Sequence, residues 1–218
     1  MKICARPTPL IVRQFSVVNA RQNSKASSLT THSGVPGQIS CANAPMPISA
    51  KPLFNVMENQ LASQKFMLGN RPSAGDFSLY GQLTQLVGFD PTSRAIAHEV
   101  SPRTVAWVDL MHDQSGAEPK EQDWIALDDQ PESLRGLMEE IGRVYAPAQL
   151  ANARAVQAGE KTWECEIDGA PWTQQTFPYQ AKCLRWTIER YQALADTDRV
   201  SVDALLRGTG VDAMLSQG

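Results

Sequence analysis

Apolar residues recur at helical spacing through most of the chain beyond about position 50. Leu53, Val56, Met57 and Leu61 share one stripe, which predicts a helix over 52–66 with Gly69 as its punctuation. Phe77, Leu79, Tyr80, Leu83, Leu86 and Val87 follow at the same period with Ser78, Gln82 and Gln85 outward, a second helix that buries one face. Ser101-Pro102 opens a third, with Val105, Val108 and Met111 inward, Trp107 at its packing edge and Gly116 ending it. After a loop over roughly 114–130, Asp129, Pro131 and Glu132 start another, in which Leu134, Leu137, Met138, Ile141 and Tyr145 recur until Pro147. A shorter helix runs to Ala158, where Gly159 stops it.

The period then changes. Trp163, Cys165 and Ile167 alternate with Glu164, Glu166 and Asp168, the two-residue repeat of a strand, and Asp168-Gly169 is a hairpin turn signal. A turn at that pair sets Cys165 opposite Trp172 and Trp163 opposite Gln174, leaving the acidic side to solvent. Two strands alone are marginal, so the Trp face must pack on a helix. The obvious partner is 178–195, where Leu184, Ile188 and Tyr191 line one face and Arg185 and Glu189 form an i,i+4 pair. Gly208-Thr209-Gly210 follows a helical pattern and reads as a helix stop. The predicted fold class is mainly α, a helical bundle with a short β-hairpin in its C-terminal extension.

The segment 69–77, Gly-Asn-Arg-Pro-Ser-Ala-Gly-Asp-Phe, writes a helix start in side-chain chemistry. Ser73 suits an N-cap that accepts from the Asp76 amide, and the Asp76 carboxylate reaches back to the Ser73 amide, with Pro72 stapled onto Phe77. On local grounds Ser73 and Asp76 are architecture rather than catalysis, and losing such a cap costs about 1 kcal/mol.

These residues also carry a family resemblance. "FMLGNRPSAGDFSLYGQL", then Asp90-Pro91, then "SPRTVAWVDLMHD" resembles the C-terminal all-helical domain of the glutathione S-transferase family, over roughly 52–113. The family's Ser/Thr-x-x-Asp box falls on Ser73 and Asp76, and its Pro-started helix with an internal Trp on Pro102 to Asp113 with Trp107 inside. Gly75 departs from the family's usual Ala, at up to about 1 kcal/mol of helix propensity. The resemblance implies conjugation or thiol transfer from glutathione, as co-substrate, to an apolar electrophile. In the family a thioredoxin-like N-terminal domain holds and activates that thiol. Residues 1–50 do not resemble it and show no βαβ alternation, so the expectation is a truncated member that binds no cofactor alone. No catalytic residue is nominated: Cys4, Ser16 and Tyr80 are not taken as substitutes.

Charge divides the chain. The first fifty residues hold Lys2, Arg6, Arg13, Arg21 and Lys25 and no Asp or Glu, so +5 there stands against −8 beyond, for a net charge of −3. An acidic body argues against a nucleic-acid partner, whose phosphates need clustered Lys and Arg. No apolar run approaches the roughly 18 residues of a membrane span. The basic, Ser-rich start leaves three readings open: a tail, a targeting peptide, for which Arg13-Gln14-Phe15-Ser16 resembles a matrix-protease site, and sequence standing in for a lost thioredoxin half. Cytoplasmic placement is the main expectation and an organelle the alternative.

The domain expectation is therefore a basic tail and linker over 1–51, a transferase-like helical core over 52–117, and a helical extension with the hairpin, packed on the core, over 118–218. Cys4 and Cys41 lie in the tail, while Cys165 and Cys183 fall on apolar faces and read as inert thiols. His32, His98 and His112 are scattered, no metal-ligand spacing occurs, and neither a P-loop nor GxGxxG is present. Glu139-Glu140 and Asp128-Asp129 diverge on a helix and read as solvated or cap charges. The aromatics Trp163, Trp172, Phe177, Tyr179, Trp186 and Tyr191 read as core, or as the wall of a pocket for an apolar small molecule. Two functions stay open: a glutathione-transferase lineage needing its thioredoxin half, and a non-catalytic helical module for dimerisation or contact with another protein.

Overall fold

A computed structural model describes residues 46–217. The expectations for the basic tail up to residue 45, with Cys4, Cys41 and His32, lie outside the described residues. Among the described residues the chain is mainly helical with one two-stranded antiparallel hairpin, and these divide into two compact units between Asp123 and Trp124.

In the first unit α1 (Met46–Ser63) packs on α3 (Pro91–Val100) and α4 (Pro102–His112), and α2 (Ala74–Leu83) continues through a π-helical turn at Thr84–Phe89. The first helix starts before Pro52, which lies inside it, and stops at Ser63 rather than 66. Leu53, Phe54 and Met57 are buried, with Val56 and Leu61 at the edge. Beyond it Phe66 and Gly69 pair through their backbones, Phe66 N–H to Gly69 O at 2.9 Å, which buries Phe66 and Met67.

The helix α3 was legible only as the Asp90-Pro91 pair. The Asp90 carboxylate accepts from the amides of Thr92 and Ser93 at 2.8 and 3.0 Å, and Pro91 takes the first helical position. The next helix is started from outside: Ser101 makes no side-chain cap, and Glu58 of α1 accepts from the Arg103 amide at 3.0 Å and from the Ser101 hydroxyl at 3.1 Å while pairing with the Arg103 guanidinium. Trp107 is core rather than edge, buried with Val108 and Met111. This helix stops at His112, short of Gly116, because the Asp113 carboxylate takes the Ser115 amide and hydroxyl in a local turn that competes with further helix.

The second unit is built on α6. After a 3₁₀ turn at Leu127–Asp129, α5 (Glu132–Glu140) passes through a π turn at Ile141–Tyr145 into α6 (Ala146–Ala158) without the break expected at Pro147. Pro147 lies just past the junction of the π turn with α6. Gly159 (φ 72°) ends the helix, donating to Val156 O at 3.2 Å as Glu160 donates to Ala155 O at 2.9 Å.

The strands β1 (Thr162–Ile167) and β2 (Ala170–Gln175) pair in the expected register, Cys165 opposite Trp172 and Trp163 opposite Gln174. Asp168 (φ 58°) and Gly169 (φ 74°) both adopt the left-handed conformation that a two-residue hairpin turn requires. The Trp face does not pack on 178–195 as expected. Trp163 lies on Ala148, Ala151 and Ala155 of α6, whose small side chains at spacings of three and four make a flat seat for an indole.

The helix α7 (Pro178–Gln192) packs elsewhere on α6. Its start is fixed by the buried Asn152 of α6, whose amide donates to Phe177 O at 3.1 Å and accepts from Phe177 N at 2.7 Å. Two further helices, α8 (Asp196–Leu206) and α9 (Val211–Leu215), flank Gly208-Thr209-Gly210, which stops the first and starts the second. Asp212 closes that turn by accepting from the Gly208 and Gly210 amides at 2.8 and 3.0 Å, and the Gly208 bond chiefly holds its carboxyl below the ordinary 3.8. The folded form therefore holds this proton less tightly than the unfolded chain, and the stabilisation is present above pH 3.8 and lost as pH falls through the lower folded value. Urea midpoints at pH 7 and pH 3 should differ less in Asp212→Asn than in the wild type.

Candidate functional site

The helix start at 73–76 is built as the sequence predicts. Ser73 accepts from the Asp76 amide at 3.3 Å, while Asp76 Oδ2 accepts from the Ser73 amide at 2.8 Å and the Ser73 hydroxyl at 2.5 Å. A further bond had no local signal: Asp76 Oδ1 accepts from the Met67 amide at 2.9 Å, nine residues back. Asp76 thus ties the turn after α1 to the first turn of α2, and both Ser73 and Asp76 are buried. Burial pushes the Asp76 carboxyl above its ordinary value, against the four hydrogen bonds that pull it down. With its oxygens committed to the protein's own donors and closed to solvent, this carboxylate has no free face for a substrate.

Phe77 does not staple inward. It stays 51% exposed, because the buried side of α2 runs through Asp76, Leu79 and Leu83 and position 77 turns away from it. Phe89, at the end of the π turn, is 83% exposed. Tyr80, half-buried, has its hydroxyl 2.7 Å from His112 Nδ1, an α2–α4 contact that no spacing in the sequence announced.

In the second unit the six aromatics do not converge. Trp163 is buried and Trp172 packs beside it, while Tyr179 and Trp186 are exposed on α7, Lys182 lying over the Trp186 ring at 4.6 Å. Tyr191 donates to Asp203 at 2.6 Å. Cys165 and Cys183 are free and half-buried, and burial pushes the Cys165 thiol up, away from the reactive thiolate. Glu140 is not the solvated or cap charge expected: it is buried and accepts from Arg143 through two bonds of 2.8 and 2.9 Å, Arg143 also pairing with Asp168 of the hairpin turn, while Asp128 accepts from Ser201. Arg185 and Glu189 form the expected pair at 3.4 Å.

A trough of about 300 Å³ lies along α6 and α7, with Leu150, Leu184, Ile188 and Gln217 among its lining. Among the described residues no group of three or more His, Cys, Asp or Glu side chains is placed to hold a metal ion, and no helix is long and apolar enough to cross a membrane.

Residues 48–110 match the family described as "Glutathione S-transferase, C-terminal domain", a span that contains Ser73, Asp76 and the helices α2 and α3 whole. No curated protein and no solved structure gives a significant match.

Proposed function

We propose that this chain, whose residues 48–110 belong to the glutathione S-transferase C-terminal domain family, is the helical part of a glutathione-dependent transferase acting on an apolar electrophile. Glutathione would be held by a thioredoxin-like half, supplied with or beside the helical domain. The observation that carries this reading is the coincidence of the family match with a fully bonded Ser73–Asp76 box inside it. The match and the box support reading the fold around them as the family's, with the chemistry that fold serves.

A second reading, a non-catalytic helical module for dimerisation or protein contact, is favoured by Phe77 and Phe89. Two exposed phenylalanines on one unit are apolar surface that a partner would bury. Thermal unfolding with millimolar glutathione, and separately with an S-alkyl glutathione, divides the two. A ligand present at 100 times its dissociation constant adds about 2.7 kcal/mol of apparent stability. A raised unfolding temperature with the S-alkyl compound, whose apolar tail is the part the helical half would take, supports the transferase reading, and unchanged curves together with a dimer in sedimentation support the module.

A further inference from the structure

The hairpin lies in the second unit, outside residues 48–110, and its free edge bears on neither reading above. Register decides which of its backbone groups are used. With Asp168 and Gly169 as the turn, Ile167 and Ala170 form a hydrogen-bonded pair, and such pairs recur at Cys165–Trp172 and Trp163–Gln174. The bond from Thr176 N–H to Lys161 O at 2.9 Å continues the same phase. The N–H and C=O groups of Thr162, Glu164 and Glu166 therefore point away from β2, and all three residues are exposed. Among the described residues no third strand joins that edge.

The two edges of the hairpin are not equivalent. On β2 the outward positions are Pro171, Thr173 and Gln175, and Pro171 has no N–H to offer, which blunts that edge against a further strand. The β1 edge carries no proline. Beside it lies a hollow of about 270 Å³ with Ala151, Ala155 and Ala158 of α6 and Trp163 in its lining and no residue of β2. Trp163, Cys165 and Ile167 all turn to the α6 side of the strand, so a strand added to β1 lays every second side chain over that hollow. The charged lining, Arg154 with Glu160 and Glu164, is acidic on balance. The opposite face of β1 is acidic too: Glu164 and Glu166 stand on it, exposed and outside every ion pair among the described residues. A second copy paired edge to edge would set these carboxylates against their equals, so charge selects a basic occupant instead.

We infer that the free edge of β1 is a strand-addition site for an extended segment of another protein, about five residues long, in which Lys or Arg alternates with apolar residues. Its backbone joins the ladder at Thr162, Glu164 and Glu166. Its cations lie beside Glu164 and Glu166, and its apolar side chains cover the hollow over α6.

Two fluorescein-labelled peptides test it against the full chain by anisotropy, one of alternating Val and Lys and one of alternating Val and Glu. The Lys peptide should bind more tightly by about tenfold or more. The double variant Glu164→Lys/Glu166→Lys should reverse that order, and its unfolding temperature should match the wild type, since both side chains are exposed. Backbone pairing is separated from charge alone by N-methylating the Lys peptide at every Lys amide or at every Val amide. Only alternate amides of an added strand face the ladder, so one methylated form should lose binding and the other keep it. Equal affinity for the Lys and Glu peptides, no binding of either, an order unchanged by the double variant, or equal affinity of the two methylated forms would overturn the assignment. So would slow hydrogen exchange at the Thr162, Glu164 and Glu166 amides in the chain alone, which would give the edge to a second copy or to another part of this chain.

Discussion

Gly142→Ala should destabilise residues 124–217 by about 3 kcal/mol or more, at the upper end of overpacking costs. Gly142 sits in the π turn at Ile141–Tyr145, where the backbone lies directly against the 208–210 turn. A Cβ placed there would overlap the Thr209 carbonyl oxygen and stand 2.7 Å from its carbon and 3.0 Å from Gly210 Cα. Backbone meets backbone at that point, so no side-chain rotation relieves the overlap. Either the π turn or the turn before α9 must move, and both are locked: Ile141 and Tyr145 are buried, as are Thr209 and Val211. Gly136→Ala, on the preceding helix α5, is the control. Its Cβ meets nothing within 4 Å, so it should stabilise by about 0.5–1 kcal/mol by relieving the glycine penalty. Chemical denaturation of the two variants, followed by the fluorescence of Trp163, Trp172 and Trp186, checks both. Equal midpoints would contradict the close approach.

Asp76→Ala should cost about 3–5 kcal/mol, well above the roughly 1 kcal/mol of a simple cap. The difference lies in the Met67 amide. Removing the carboxylate deprives the buried amides of Met67 and Ser73 and the Ser73 hydroxyl of their acceptor, and each orphaned group costs about 1–3 kcal/mol. Ser73→Ala removes the cap while leaving both amide bonds to Asp76, so it should cost about 1 kcal/mol. Similar unfolding midpoints for the two variants would show that Asp76 acts as a cap only. The same carboxyl has a pH signature. Its folded pKa is raised, chiefly by burial, so the folded protein holds this proton more tightly than the unfolded chain. The resulting stability is present below the unfolded value of 3.8 and lost as pH rises through the folded one. Asp76→Asn should flatten the stability profile in that window.

What the sequence made legible was local. The box at 73–76, the Gly159 stop and the hairpin register each depend on residues within a few positions of one another, and backbone geometry at those positions leaves few alternatives. Position-by-position hydrophobicity failed where two elements share a burden. Trp107 looked peripheral because its own helix does not reveal what packs on it, and Phe77 looked buried because it stands beside a box whose buried side lies elsewhere. The hairpin's seat was assigned to the aromatic-rich helix at 178–195. It belongs to the alanines of α6, since flatness, not hydrophobicity, receives an indole face. Of the candidate features, the Ser73–Asp76 bonds could be read from spacing. The Asp76–Met67 bond, the Tyr80–His112 contact and the α6–α7 trough could not, because each joins segments whose approach no periodicity encodes.

Asn152 holds the start of α7 through main-chain atoms of Phe177 alone. Hydrogen bonds of that kind are indifferent to the side chain they anchor, so the constraint on sequence is one-sided. Position 177 is free to vary in size and polarity as far as this junction is concerned. Position 152 must keep both a donor and an acceptor on one short planar group, and among the natural side chains of that length only asparagine offers them.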